Sequence, residues 1–82
     1  SDTLAQEHET TELLDRCLET LNAREREIIR RYYGFDDCPP MTLEQIGDTF
    51  GLTRERIRQL RDHGLMVLRD RFGDVLFELS HN

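Results

Sequence analysis

Thr53-Arg54-Glu55-Arg56-Ile57-Arg58-Gln59 is the stretch of this chain whose residue types and spacing could do chemistry on a partner. Arginine can donate two parallel hydrogen bonds to a guanine edge, glutamine can read adenine, and glutamate can accept from cytosine. If the stretch is helical with Ile57 turned inward, Thr53, Arg54, Glu55, Arg58 and Gln59 share the outward face. Arg56 and Arg61 then fall on its flanks, where contact with phosphate is expected rather than base readout. The competing explanation is pairing of Glu55 with Arg58 and Gln59 on a solvated helix face. Such pairs stabilise a helix by only ~0.2–0.5 kcal/mol, and they do not account for where the positive charge sits.

No comparable set of residues suggests a reaction. His8, His63 and His81 are scattered, the serines stand at positions 1 and 80, and no glycine-rich phosphate loop occurs. Without a nucleophile beside a base, the expectation is a protein that is not an enzyme and needs no cofactor. Cys17 and Cys38 form no C-x-x-C or H-x-x-x-H spacing with the histidines, so no metal site is expected. Two isolated thiols fit a reducing cytosol better than a disulfide framework. Cys17 lies on an apolar stripe, as a buried small hydrophobe would. No apolar run approaches the ~20 residues of a membrane-spanning helix, and no signal peptide is visible. A cytoplasmic protein with no membrane partner is expected. The start at Ser1 rather than methionine suggests a fragment of a longer protein.

Charge is distributed unevenly. The chain has 82 residues, a net charge of −6 and 34% charged residues, and all its basic residues are arginine. Residues 54–71 hold six arginines against three acids, a local +3, whereas residues 1–27 hold eight acids against three arginines. Positive charge is thus concentrated on the segment that opens with the reading residues.

The elements that must position this segment are legible from the apolar pattern. From Thr10 to Leu21 apolar residues fall at 13, 14, 17, 18 and 21, one helical face. Asn22 with Glu25 is the signature of a capping box, opening a helix with the stripe Ile28, Ile29, Tyr32 and Tyr33 and ending at Gly34. Asp36-Asp37 and Pro39-Pro40 make 35–41 a loop. Thr42 with Gln45 caps a short helix through Phe50, Gly51 stops it, and Thr53 caps the next. That last helix is expected from Arg54 to Phe72, with Ile57, Leu60, Leu65 and Leu68 inward. Gly64 within it costs ~1 kcal/mol relative to alanine and predicts a bend or fraying there. Gly73 is expected to break the helix, leaving Val75, Leu76 and Leu79 for a final turn or two. Nothing alternates with period two, so no strand is expected.

Between the third and fourth helices the offsets meet the demands of a helix-turn-helix. Ile46 supplies an apolar contact, Gly47 permits close approach, Phe50 and Leu52 plug the corner, and Gly51 takes the left-handed turn. Ile57 and Leu60 return the second helix to the core. The expectation is one all-α domain over 1–82, of four to five helices and no sheet, winged-helix-like, with the helix-turn-helix at about 43–72 and residues 1–9 flexible.

TLEQIGDTFGLTRERIRQL, preceded by LNAREREIIRRYYGF, resembles region four of the primary sigma factors of the bacterial sigma-70 family over about residues 10–72. The T-R-E-R-I-R-Q run is more specific than the general helix-turn-helix pattern. In that family the domain reads the promoter −35 element and docks on the β-subunit flap of RNA polymerase. The resemblance implies base reading by Arg54, Glu55, Arg58 and Gln59. It implies contact with, or orientation of, the phosphate backbone by Arg24, Leu43, Glu44, Thr53 and Arg56. Helices 10–21 and 23–33 are expected to groove an apolar flap helix, with Leu14, Leu18 and Ile28 as candidate walls and core packing as the competing role for each. The implied partners are promoter double-stranded DNA and the polymerase core, with activators or anti-sigma proteins as further candidates and a monomer in solution.

The chain departs from the family in three places. Tyr32 stands where many relatives carry a basic residue, the loop CPPM is proline-rich, and RDHGLMV replaces a segment richer in lysine and arginine that activators often contact. The ending FGDVLFELSHN also lacks the family's basic tail, so a group-two or lineage-specific sigma factor fits as well as a principal one. An acidic domain with one basic helix should bind isolated DNA weakly and depend on tethering. Two other functions compete: a helix-turn-helix regulator that binds operator DNA as a dimer, and a module whose main partner is a polymerase subunit or an anti-sigma protein.

Overall fold

The computed structural model describes residues 12–35 and 37–81, with side chains to Asp74. The expected flexibility of residues 1–9 and the side chains of Val75, Leu76 and Leu79 lie outside that set. Among the described residues there are four helices and no strand: α1 over 12–18, α2 over Ala23–Tyr33, α3 over Leu43–Phe50 and α4 over Arg54–His81.

Helix α1 stops short of Leu21. The backbone N–H of Thr20 and of Leu21 reach back three residues to the carbonyls of Cys17 and Leu18, and the Thr20 hydroxyl also donates to the Cys17 carbonyl at 2.8 Å. These bonds tighten the last turn and satisfy carbonyls that the helix itself leaves open. Helix α2 starts as expected, with the Asn22 side chain accepting from the Glu25 N–H at 2.9 Å. The reciprocal half of the box is different: the Glu25 carboxylate turns inward and meets His63 Nδ1 of α4 at 2.5 Å. The α2–α3 loop is pinned back by the Met41 N–H donating to the Arg31 carbonyl at 2.9 Å.

Helix α3 has the full capping box, with the Gln45 N–H on Thr42 Oγ1 at 3.1 Å and the Thr42 N–H on Gln45 Oε1 at 2.9 Å. It ends at Gly51 in the left-handed conformation, φ 69°, which a residue with a Cβ adopts at a cost. The turn is tight because Gly47 has no side chain: a Cβ there would stand 2.6 Å from the Leu52 carbonyl oxygen.

Helix α2 separates two cores. Ile29 packs with Cys17, Leu18, Leu21 and Leu68, while its neighbour Ile28 packs with Leu43, Ile46 and Ile57 on the other side. Ile28, Ile46 and Ile57 are fully buried, one from each of α2, α3 and α4. Burying a side chain of this size contributes ~1.5–3 kcal/mol, and this triple contact fixes how α3 and α4 cross.

One expectation for α4 is corrected and one is met. Gly64 does not mark a bend; it is buried against α2, where a Cβ would meet Ile29, and the helix runs through it. The break expected beside Gly73 is present: Phe72, the residue before it, has a non-helical φ of −130° and ψ of 19°, and helical geometry resumes beyond it. Phe72 packs against the Cys17–Leu68 core.

Candidate nucleic-acid interface

The first turns of α4 project from the fold on its helix-turn-helix corner. Thr53 caps the helix by accepting from the Arg56 N–H at 3.1 Å. Ile57 is buried, and this fixes the helix rotation: Thr53, Arg54, Glu55, Arg56 and Gln59 are exposed and Arg58 is half-exposed. The outward set expected from the sequence is therefore one continuous face.

Arg54 shares a shallow cleft with Thr42, Leu43 and Glu44, which brings the starts of α3 and α4 side by side. Two helix N-termini thus open toward the same region, where unpaired N–H groups and helix dipoles favour an anion. Leu43 is 9% exposed, its side chain packed with Ile28, Ile46 and Ile57. What it can offer a phosphate is main chain rather than side chain. Arg24 is exposed on the first turn of α2, apart from this cleft.

The arginines of α4 are not equivalent. Arg58 donates through Nε and Nη2 to the two oxygens of Glu55, and through Nη1 to Asp62 Oδ2 at 2.9 Å. Asp62 Oδ1 in turn accepts from Arg61 Nε at 2.9 Å and Nη2 at 2.7 Å. The Arg61 guanidinium lies 4.8 Å from the centre of the Tyr32 ring, a cation–π arrangement. The hydrogen bond from Arg58 holds the Glu55 carboxyl below its usual range, and that from Arg61 does the same for Asp62. Both guanidiniums are pushed up by their bonds to these carboxylates. Arg61, expected on a phosphate-facing flank, is thus tied into the protein beside Tyr32. Gln59 does not pair with Glu55; its Oε1 accepts from Arg56 Nη1 at 3.3 Å.

Asp62 and Tyr32 were not singled out by sequence as partners of the exposed α4 residues. The signal for Asp62 was available, since Glu55, Arg58 and Asp62 fall at i, i+3 and i+7, which places them along one helix face. The Tyr32–Arg61 stack joins α2 to α4 and has no local signature.

The residues expected to wall a polymerase groove occupy other places. Leu18 and Ile28 are 2% and 0% exposed and hold the two cores, which leaves them no surface for a partner. Leu14 is half-buried. The groove that does lie beside α2 is lined by Arg26, Arg30, Arg31, Phe35, Pro39 and Met41, among others, and includes none of the three.

A helix-turn-helix corner with its second helix dressed in arginine, glutamate and glutamine admits several families, and comparison separates them. The model for sigma-70, region 4, matches residues 17–70. The chain belongs to the sigma-70 region 4 family. It is 50% identical over 56 residues to the RNA polymerase sigma factor SigA of Microcystis aeruginosa, and equally so to that of a Synechocystis strain. A Bacillus SigA is 47% identical over 58 residues. These alignments take in 68–71% of this chain but only 13–15% of each relative. The region 4 chain therefore spans about one seventh of the length of the curated relatives it matches. No helix among its described residues is long and apolar enough to cross a membrane, and no cluster that could hold a metal ion occurs among them.

Proposed function

We propose that this domain reads the −35 element of promoter DNA as part of a sigma factor, acting by binding alone, without catalysis, in the bacterial cytoplasm. The observation that carries the reading is the exposed face Thr53–Arg54–Glu55–Arg58–Gln59 at the start of a helix whose rotation Ile57 fixes. Arg54, Glu55, Arg58 and Gln59 reach base edges in the major groove, while Thr53, Arg56, Glu44, Arg24 and the main chain at Leu43 lie against or orient phosphates. Net charge of −6 keeps the untethered domain from binding DNA at large, because affinity from phosphate contacts scales with the charge neutralised. Tethering to polymerase restores occupancy through effective concentration. Docking on the polymerase β-flap belongs to the same proposal; of the three residues first expected to serve it, Leu14 retains surface for the contact.

Footprinting the full-length parent with polymerase on promoters carrying intact and scrambled −35 sequences tests this directly. Protection over the −35 region that disappears on scrambling is expected. Protection indifferent to that sequence would overturn the proposal, and a palindrome protected by a stable dimer of this domain would replace it with the regulator reading.

A further inference from the structure

Arg58 has five N–H donors, and three are already spent on Glu55 and Asp62: Nε, one on Nη1 and one on Nη2. The two that remain sit one on each terminal nitrogen, the pair a bidentate contact to a base edge requires. We propose that Asp62 is a specificity-determining residue of the reading helix, acting through Arg58. It turns Arg58 from a charge that seeks phosphates into a neutralised, oriented fork that reads a base. This rests on the DNA-reading role proposed above and goes beyond it.

Asp62 is suited to the task because it is itself held. Its Oδ1 takes both the Nε and the Nη2 of Arg61, whose guanidinium is stacked on Tyr32 of α2, and its Oδ2 is aimed at Arg58. A chain of contacts thus runs from Tyr32 through Arg61 and Asp62 to Arg58 and Glu55, anchoring a long side chain at two points along the helix. Two arginines and two carboxylates cancel, so this part of the reading face carries no net charge toward DNA. An arginine so neutralised gains little by moving to a phosphate, where it would exchange one anionic partner for another. A base edge presented to its two remaining donors adds bonds without breaking any. Freed of Asp62, Arg58 would swing on Glu55 alone and find phosphates on any sequence.

The test measures binding of the full 82-residue chain to duplexes carrying a −35 element or its scramble, across salt concentrations, with circular dichroism melts confirming the fold. Asp62→Asn keeps the shape and the bond to Arg61 but removes the anion. It should tighten binding to scrambled DNA by about five- to tenfold, tighten the −35 duplex less, and steepen the salt slope by about one as Arg58 engages a phosphate. Asp62→Glu, which keeps the anion, should restore wild-type discrimination. In an Arg58→Ala background, Asp62→Asn should change neither affinity nor slope by more than about twofold, since Arg61 stays stacked on Tyr32 and bonded to the amide oxygen at position 62 rather than reaching a phosphate. An equal gain with and without Arg58 would show a bulk charge effect and overturn the inference. So would unchanged discrimination in Asp62→Asn while the wild type still prefers the −35 duplex. A wild-type chain that binds both duplexes measurably and equally would overturn the reading of the −35 element as well.

Discussion

Gly64 on α4 and Ile29 on α2 stand so close that a Cβ on the glycine would lie 2.7 Å from the Ile29 Cδ1. Gly47 is equally constrained, but the atom in its way is the backbone oxygen of Leu52 at 2.6 Å. The two distances are similar and the obstacles are not. A terminal methyl can rotate, whereas the Leu52 carbonyl belongs to the turn that aims α4.

Gly47→Ala should therefore destabilise the domain by about 2–3 kcal/mol, at the upper end of overpacking costs. Gly64→Ala should cost about 1 kcal/mol or less, because alanine's helix propensity, worth ~1 kcal/mol over glycine, offsets part of the strain. Thermal or urea melts of the two variants give the order. Equal losses would mean that Ile29 is as immovable as the turn.

Glu25 is 4% exposed and its carboxylate meets His63 Nδ1, joining α2 to α4 across 38 residues of sequence. Removing the histidine strands a buried acceptor, so His63→Leu should cost about 1–3 kcal/mol. Replacing both partners removes the stranded group, and Glu25→Leu with His63→Leu should be more stable than His63→Leu alone. Additive losses in a double-mutant cycle would show that the pair is not coupled.

The two pairs also show what sequence could and could not reveal. Helix ends were legible because their causes are local: Asn22, Thr42 and Thr53 each accept from the N–H three residues on, and Gly34 and Gly51 take positive φ. The inward positions Ile46 and Ile57 and the exposure of the face opposite followed from the same spacing. Glu25 was misjudged because a glutamate at the third position of a helix can cap it or reach elsewhere, and His63 lies on another element. Gly64 was misjudged because its cost as a helix residue is visible in sequence and the approach of Ile29 is not. Leu14, Leu18 and Ile28 share one apolar pattern, which cannot say that Leu18 and Ile28 would be sealed between helices and Leu14 left at the edge.

Acid should act on the reading helix through Glu55 and Asp62, whose carboxyls are held below their usual range by Arg58 and Arg61 respectively. Their folded values lie below their unfolded ones, so the stabilisation they bring is complete above the ordinary carboxylate range near pH ~4 and is lost as pH falls through the depressed folded values. The melting-temperature gap between the wild type and a Glu55→Gln, Asp62→Asn double variant should be constant from neutral pH to about 5 and close below about 4. A gap that persists at pH 3 would assign it to packing or helix propensity instead.

Arg58 and Arg56 stand two residues apart on α4 and should fail in different ways. Arg58 is held by Glu55 and Asp62 with two donors left, whereas Arg56 is exposed and makes one long bond, 3.3 Å, to Gln59. Losing a bidentate base contact costs ~1–3 kcal/mol and relaxes preference at one base pair. Arg58→Ala should therefore abolish discrimination at a single −35 position and leave the pattern at the others intact. Arg56→Ala should weaken every sequence about equally and shallow the salt slope by about one, as loss of a phosphate contact does. Binding to a panel of duplexes with single-position changes, repeated at two or three salt concentrations, separates the outcomes. If both variants lower affinity uniformly with base preferences unchanged, Arg58 meets the backbone. The reading face would then shift toward Arg54 and Gln59, which the same cap at Thr53 and the same buried Ile57 also turn outward.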